Sequence, residues 1–222
     1  MSTPAVVPGK FLSLEGLEGV GKTTNLEFIQ DTLETAGLSV VVTREPGGTE
    51  LGEALRNVLL HSSHTMQAET EMLMMAASRV EHVAKVILPA LAEGKWVLSD
   101  RYLDASLAYQ GGGREIGVQK VKDIHTLAGV TRLPDLTLLL DMPIALGRER
   151  IAARSAADRI EAEADPFFER CRSAYLAVAA ADPDRVKVVD ASRSLDIVQT
   201  KIAQALEPLL DNATRVSDSS DG

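Results

Sequence analysis

The residues Gly16-Leu17-Glu18-Gly19-Val20-Gly21-Lys22-Thr23 match in full the spacing G-x-x-x-x-G-K-[ST] of a loop that cradles phosphates. Glycines let such a loop curl until successive backbone N–H groups point at phosphate oxygens, and the following helix adds the positive end of its dipole. Lys22 is then placed to reach the β- and γ-phosphates of a nucleoside triphosphate. Thr23, with Thr24 beside it, is placed to offer a hydroxyl to magnesium. The flanks fit this reading: Phe11-Leu12-Ser13-Leu14 is a buried strand by pattern, and Thr24-Asn25-Leu26-Glu27-Phe28-Ile29 opens a helical one. A plain glycine-rich turn would need neither the lysine nor the threonine.

A second set of chemically capable residues follows the apolar run Trp96-Val97-Leu98-Ser99, which delivers Asp100-Arg101-Tyr102. Ligands of open parallel sheets bind beyond the carboxyl ends of the strands. Asp100 can therefore hold a magnesium-bound water, and Arg101 can sit over transferring phosphates. Asp141 ends the run Leu136-Thr137-Leu138-Leu139-Leu140 and competes for the metal role; the adjoining arginine favours Asp100. Ala108-Tyr109-Gln110-Gly111-Gly112-Gly113-Arg114 is expected to be a loop, in which Tyr109 offers a flat face and Gln110 an amide that both donates and accepts. Arg148, Arg150, Arg154 and Arg159 crowd into one short stretch of an acidic chain, as in a lid that closes over a nucleotide. Glu149, Asp158, Glu161 and Glu163 would equally neutralise that stretch as a solvated helix face. Arg44, Arg56, Arg79, Arg101 and Arg114 form a further set for another anion.

These residues need a scaffold that gathers them at one edge. After the phosphate loop a helix runs to about Ala36 and stops at Gly37. Leu38-Ser39-Val40-Val41-Val42 is a second strand, ended by the loop Thr43-Arg44-Glu45-Pro46-Gly47-Gly48-Thr49, where Thr49 can cap the next helix. A single long helix is expected over about 68–91, with Leu73, Ala76, Val80, Val83, Ile87 and Leu91 as its core stripe. Arg79 lies at the edge of that stripe, a position from which arginine snorkels to water. Helices over 144–153, around Phe167, Phe168, Cys171 and Tyr175, and over 195–210, with a last strand Val186-Lys187-Val188-Val189, complete the order. It predicts an α/β fold, a doubly wound parallel sheet of about five strands flanked by helices.

Length and composition set the frame. With 222 residues, 45% of them apolar, the chain suits a single domain, taken as 10–211 with a lid at about 150–163. Residues 1–9 are expected to be flexible and 212–222, with the polar ending, disordered. A net charge of −9 argues against a nucleic-acid polymer or an anionic membrane as partner. No apolar run is long enough to span a bilayer and no secretory pattern opens the chain, so a cytoplasmic protein is expected. The single cysteine, Cys171, can form no intramolecular disulfide. No guanine-reading Asn-Lys-x-Asp segment occurs, which argues against a GTP switch. A small-molecule kinase fits best.

The motifs, taken in order, resemble those of bacterial thymidylate kinases, which are P-loop nucleoside monophosphate kinases. The likeness covers residues 10–210 and rests on residues 16–24 and 43–49, Asp100-Arg101-Tyr102, residues 108–114, Pro134-Asp135-Leu136-Thr137 and Asp158-Arg159-Ile160-Glu161. It implies ATP-dependent conversion of dTMP to dTDP with magnesium, on the way to dTTP, by a homodimer. It implies that Glu18 contacts the sugar 3′-hydroxyl, Arg101 holds the acceptor phosphate against the donor, and Arg44 and Arg56 steady that phosphate. Arg79 would face the thymine carbonyl, Ser106 and Gln110 would contact the base, and Tyr109 would pack under the deoxyribose and disfavour a 2′-hydroxyl. The phosphate loop carries Leu17 and Val20 rather than an arginine, so the lid would supply one, from among Arg150, Arg154 and Arg159. Lys22, Asp100, Arg101, Arg154 and Arg159 would thus be the catalytic set, with Thr23 and Asp100 at the metal. One departure is Met75, where many members stack a phenylalanine on the base; its polarisable sulfur can pack on a ring instead.

Overall fold

Near-continuous apolar runs favour strands covered on both faces, the setting of a parallel sheet. In the computed structural model, which describes residues 9–62, 65–152 and 159–218, these runs form β1 (Phe11–Glu15), β2 (Val40–Arg44), β3 (Trp96–Asp100), β4 (Leu136–Asp141) and β5 (Val186–Asp190). All pairings are parallel and the order is β2-β3-β1-β4-β5. The chain leaves β1 toward β2 on one side and later builds β4 and β5 on the other. The crevice at the carboxyl end of β1 is thus the switch point at which such sheets bind ligands. Register places Leu14 beside Asp100 and beside Leu138, so the ends of β1, β3 and β4 converge on it.

The first helix, α1 (Lys22–Thr35), springs from the phosphate loop, and Gly37 follows it with φ 81°. Helix α2 (Glu50–His61) starts where expected, with the Thr49 hydroxyl accepting from the Gly52 N–H. The long helix proves to be three joined pieces: α3 (Ala68–His82), a π-helical turn over Val83–Ile87, and α4 (Leu88–Ala92). Pro89 has no N–H to give the turn before it, which accounts for the break in the regular ladder. The expected stripe is also rotated. Leu73 and Val80 are exposed, and the buried face is Met72, Ala76, Arg79, Val83 and Ile87. Arg79 does not snorkel; it is wholly buried.

A larger correction falls between β3 and β4. Residues 108–114 are not a loop: α5 (Leu103–Ser106) runs into a π-helical segment, Leu107–Gly113, followed by α6 (Val118–Leu127). The glycines there serve packing rather than flexibility. A Cβ on Gly112 would lie 2.6 Å from Ala174 Cβ and 3.0 Å from the Arg170 carbonyl oxygen of α8 (Asp165–Ala181), the helix that follows α7 (Ile144–Ala152). The last helix, α9 (Leu195–Asp218), packs against α1 and runs beyond the expected boundary, with Pro208 inside it. Extension of an existing helix through Ala213, Thr214 and Arg215 needs no new nucleus, so residues 212–218 are helical rather than disordered. At the other end, Gly9 is buried and donates to the Leu91 carbonyl at 3.0 Å, so this residue is anchored in the fold.

Gly112→Ala should raise helix propensity yet destabilise the protein by about 1–3 kcal/mol through overpacking against α8. Urea denaturation measures it; an unchanged or higher midpoint would contradict the packing role.

Candidate active site

Three glycines of the phosphate loop, Gly16, Gly19 and Gly21, have φ of 139°, 77° and 91°, values open to glycine and strained for other residues. Close approach requires them as well: a Cβ on Gly16 would meet the Leu140 oxygen at 2.5 Å, and one on Gly19 the Gly147 oxygen at 2.3 Å. Leu17 and Val20 turn their side chains into the core, leaving the backbone of the loop to face a ligand. Helix α1 has neither a side-chain cap nor an acidic residue in its first turn, so its first N–H groups remain available to an anion. Thr23 and Thr24 are exposed at this turn. Lys22 Nζ donates to the Gly16 and Leu17 carbonyls at 3.1 and 2.9 Å and lies 3.6 Å from Glu18 Oε2. Burial, and then Arg101, push its pKa below the ordinary lysine value.

Opposite the loop, β3 ends in Asp100 and Arg101. Arg101 is a non-glycine residue at φ 69°, fixed by its N–H to Leu14 oxygen (3.0 Å) and by Ser99 Oγ donating to its carbonyl (2.7 Å). This conformation aims the guanidinium back across the crevice. Nη2 donates to Glu18 Oε2 and to Tyr109 Oη (3.1 Å), and Nη1 to Tyr175 Oη (3.2 Å). Tyr109 in turn donates to Glu18 Oε2 at 3.2 Å, and Tyr175 to Glu15 Oε2 at 2.8 Å. Burial alone would raise the Glu18 pKa, but Arg101 and Lys22 outweigh it and hold the carboxyl below its usual range. Burial holds the phenols of Tyr109 and Tyr175 well above theirs, so both act as neutral donors.

Asp100 meets the requirement for a metal-side carboxylate. Its Oδ1 is buried without a partner among the described residues. Asp141 gives both oxygens to Arg172 at 2.7 Å and is thereby engaged. A threonine hydroxyl and one free carboxylate oxygen are hard donors of the kind magnesium takes alongside phosphates and water. Among the described residues no cluster of three or more His, Cys, Asp or Glu side chains could form an all-protein metal cage.

Beyond Arg101 opens a cleft that holds ≈ 580 Å³ of space, its open solvent-filled mouth included. Glu18, Arg101 and Tyr109, bonded to one another, line it together with Arg56, Met75, Gln110, Glu71 and the apolar Leu59, Leu60 and Ile160. Arg56 Nη1 donates to the Pro46 carbonyl at 2.9 Å.

Several expected residues lie elsewhere. Arg79 is not in the cleft wall: it donates to Glu45 Oε2 (2.6 Å), Ser106 Oγ (2.9 Å), His125 Nε2 (2.5 Å) and the Tyr102 carbonyl (2.9 Å). Those partners offset the desolvation of a buried guanidinium, which is why it does not reach for water. His125 accepts from Arg79 because its Nδ1–H is used by the Val121 carbonyl at 2.8 Å, and burial with Arg79 lowers its pKa to about 4. Ser106 is fully buried with Arg79 and is likewise absent from the wall. Arg44 turns outward to Glu53 at 2.8 Å. Arg159 is held in the cleft wall by Glu71 Oε2 and the Leu59 carbonyl, both at 2.7 Å, rather than over the phosphate loop. Arg154 and Asp158 lie outside the described residues. The described arginine of the lid stretch that touches the loop is Arg150, whose Nη1 is 3.4 Å from the Gly19 carbonyl.

Sequence reasoning overlooked Glu15, Tyr175 and Glu71. For Glu71 the signal was present: Glu71, Met75 and Arg79 repeat every four residues on one helix face. Nothing local marked Glu15 or Tyr175, since their roles arise only when β1, β3 and α8 meet.

A family model described as thymidylate kinase matches residues 14–202. A thymidylate kinase of Nitrosospira multiformis is 52% identical over 198 residues, covering 89% of this chain and 97% of the relative. One of Thiobacillus denitrificans is 50% identical over 203 residues, covering 91% and 98%. The crystal structure of thymidylate kinase from Ehrlichia chaffeensis superposes with a TM-score of 0.73 at 30% identity, covering 90% of this chain and 99% of that one.

Glu15 yields a test of the electrostatics beneath the site. Burial, then Asp104, raises its pKa from 4.5 to about 8. Between those values the folded protein keeps a proton that the unfolded chain releases, so stability should fall as pH rises through this window. Glu15→Gln cannot ionise and should flatten that decline in Tm measured from pH 5 to 9. Parallel curves for the two proteins would contradict the assignment.

Proposed function

The chain belongs to the thymidylate kinase family, and we propose that it moves the γ-phosphoryl group of ATP to dTMP, giving dTDP for dTTP synthesis in the cytoplasm. The observation that carries this reading is that Glu18, a residue of the phosphate loop, faces the acceptor cleft and is bonded there to Arg101 and Tyr109. Donor loop and acceptor cleft share one side chain and therefore adjoin, and direct transfer between two bound nucleotides needs adjoining sites.

The ionised phosphate of dTMP is already a competent nucleophile, so no strong general base is needed. Catalysis then consists of alignment and charge stabilisation. The loop backbone and the first turn of α1 hold the donor phosphates, and Lys22 shifts from the loop carbonyls to the β/γ oxygens. Arg101 and Arg56 take the acceptor phosphate, with Arg101 bridging toward the transferring group. Thr23 and Asp100 would hold magnesium, which when bound neutralises part of the phosphate charge. Tyr109 supports the deoxyribose, Glu18 accepts from its 3′-hydroxyl, and Met75 packs on the base near Gln110. Arg79, with Ser106, acts from beneath by fixing Glu45 and the loop that follows β2. We place the kinase domain at 10–211 and let the stretch 150–163 close over the nucleotides, with Arg150 and Arg154 delivered to the phosphates.

A homodimer fits the surface. Leu51 and Val58 on α2, and Leu73 and Val80 on α3, are exposed large apolar side chains on two helices that pack together. A patch of that kind suits a two-fold interface.

A coupled assay of ADP release across dTMP, dUMP, CMP, AMP and thymidine tests the function. We expect dTMP to give the highest kcat/KM and ADP release without acceptor to be negligible. Preference for another acceptor would refute the substrate, and equal release without any acceptor would refute the kinase.

A further inference from the structure

Gln110 is 3% exposed, and its amide is held from one side, with Nε2 donating to Glu71 Oε1 at 2.9 Å. Its Oε1 is buried and has no partner among the described residues. Both residues line the cleft that Arg56 and Arg101 also line, together with the apolar Leu59, Leu60 and Ile160. A carboxylate only accepts hydrogen bonds. It therefore permits one amide orientation, nitrogen toward Glu71 and oxygen away from it. The carboxylate is itself well anchored: Oε2 accepts from Arg159 Nη2 at 2.7 Å and from Arg114 Nε at 3.2 Å. Burial works against its charge, but Gln110, Arg114 and Arg159 more than compensate and keep its pKa below the ordinary value.

We propose that Glu71 is a specificity-positioning residue: by locking the Gln110 amide with its oxygen free to accept, it selects pyrimidines that present an N3–H and rejects those that present an N3 lone pair. The inference rests on the thymidylate kinase reading and adds to it the origin of discrimination against cytosine. Thymine and uracil carry a donor at N3 and satisfy Gln110 Oε1. Cytosine would oppose it with a second acceptor, leaving two buried lone pairs facing each other. Turning the amide over would cure that clash only by setting Gln110 Oε1 against the Glu71 carboxylate. Discrimination is thus enforced by a residue that need not touch the base, in the manner of a site whose buried polar groups are left unpaired by the wrong ligand.

The test is the ratio of kcat/KM for dTMP to that for dCMP in the full-length enzyme, its Glu71→Gln variant and its Arg159→Gln variant. A glutamine at 71 both donates and accepts, so it lets the Gln110 amide face either way. Glu71→Gln should lower the ratio by on the order of tenfold or more, whereas Arg159→Gln, which leaves the Glu71–Gln110 bond in place, should change it less than about twofold. A merely structural role would depress both substrates alike; an unchanged ratio in Glu71→Gln, or an equal fall in Arg159→Gln, would overturn the proposal. Should Glu71→Gln fail to fold, the unsubstituted enzyme decides. 5-Fluoro-dUMP loses its N3 proton at lower pH than dTMP, because fluorine withdraws electron density. Its KM should climb with pH while that of dTMP stays level, and parallel profiles would overturn the proposal. Absence of any dTMP turnover in the unsubstituted enzyme would overturn the thymidylate kinase reading, and this inference with it.

Discussion

The contact between Glu18 and Arg101 ties the structure together. Each charge is largely withdrawn from water, a situation tolerable only where geometry and further hydrogen bonds repay the desolvation. Here they do: Tyr109 and Lys22 stand by the carboxylate, while Tyr109 and Tyr175 each receive a further guanidinium donor. To make the contact, the phosphate loop must leave β1 at the right height and Arg101 must turn back at the end of β3. The register of Leu14 with Asp100 sets the first, and the left-handed backbone at Arg101 sets the second. Substitutions that disturb the sheet near the switch point therefore act on both nucleotide sites together.

The distribution of charge around the cleft explains how an acidic chain can hold two polyanionic ligands. Most of its arginines near the site are already neutralised within the protein: Arg79 by Glu45, Arg114 by Glu71 and Glu163, Arg44 by Glu53, and Arg172 by Asp141. Lys22 and Arg101 share the one carboxylate of Glu18, so cations stay in excess around the phosphate positions, with Arg56 in the cleft wall and Arg150 beside the loop. Net charge counts all of these alike, whereas local charge at the cleft depends on which cations lack a carboxylate of their own. The fixed pairs give rigidity, and the residual cations meet the nucleotides.

Much of the fold was legible because its determinants are local. The phosphate loop is specified by glycines at defined spacing, the strands by short β-branched and leucine runs, and the start of α2 by Thr49. What the sequence hid depends on distant partners. The glycines at 111–113 read as a loop until α8 is seen against them, where only a hydrogen at Gly112 fits beside Ala174 and Arg170. Arg79 reads as a surface residue until Glu45, Ser106 and His125 arrive from three other segments to take its donors. Lys22, Glu18, Arg101, Tyr109, Gln110 and Met75 were found by spacing and resemblance. Glu71, which organises Gln110, Arg114 and Arg159, has no such mark in the sequence beyond its four-residue spacing from Met75.

The central claim is that Glu18 and Arg101 act as one unit joining donor and acceptor. A double-mutant cycle on kcat/KM for dTMP, with Glu18→Gln, Arg101→Gln and the pair, measures it most directly. Each single substitution should lose on the order of a hundredfold, and the double variant should be little worse than the poorer single. If the two losses instead multiply, the residues work independently and the account of a shared side chain between the two sites is wrong.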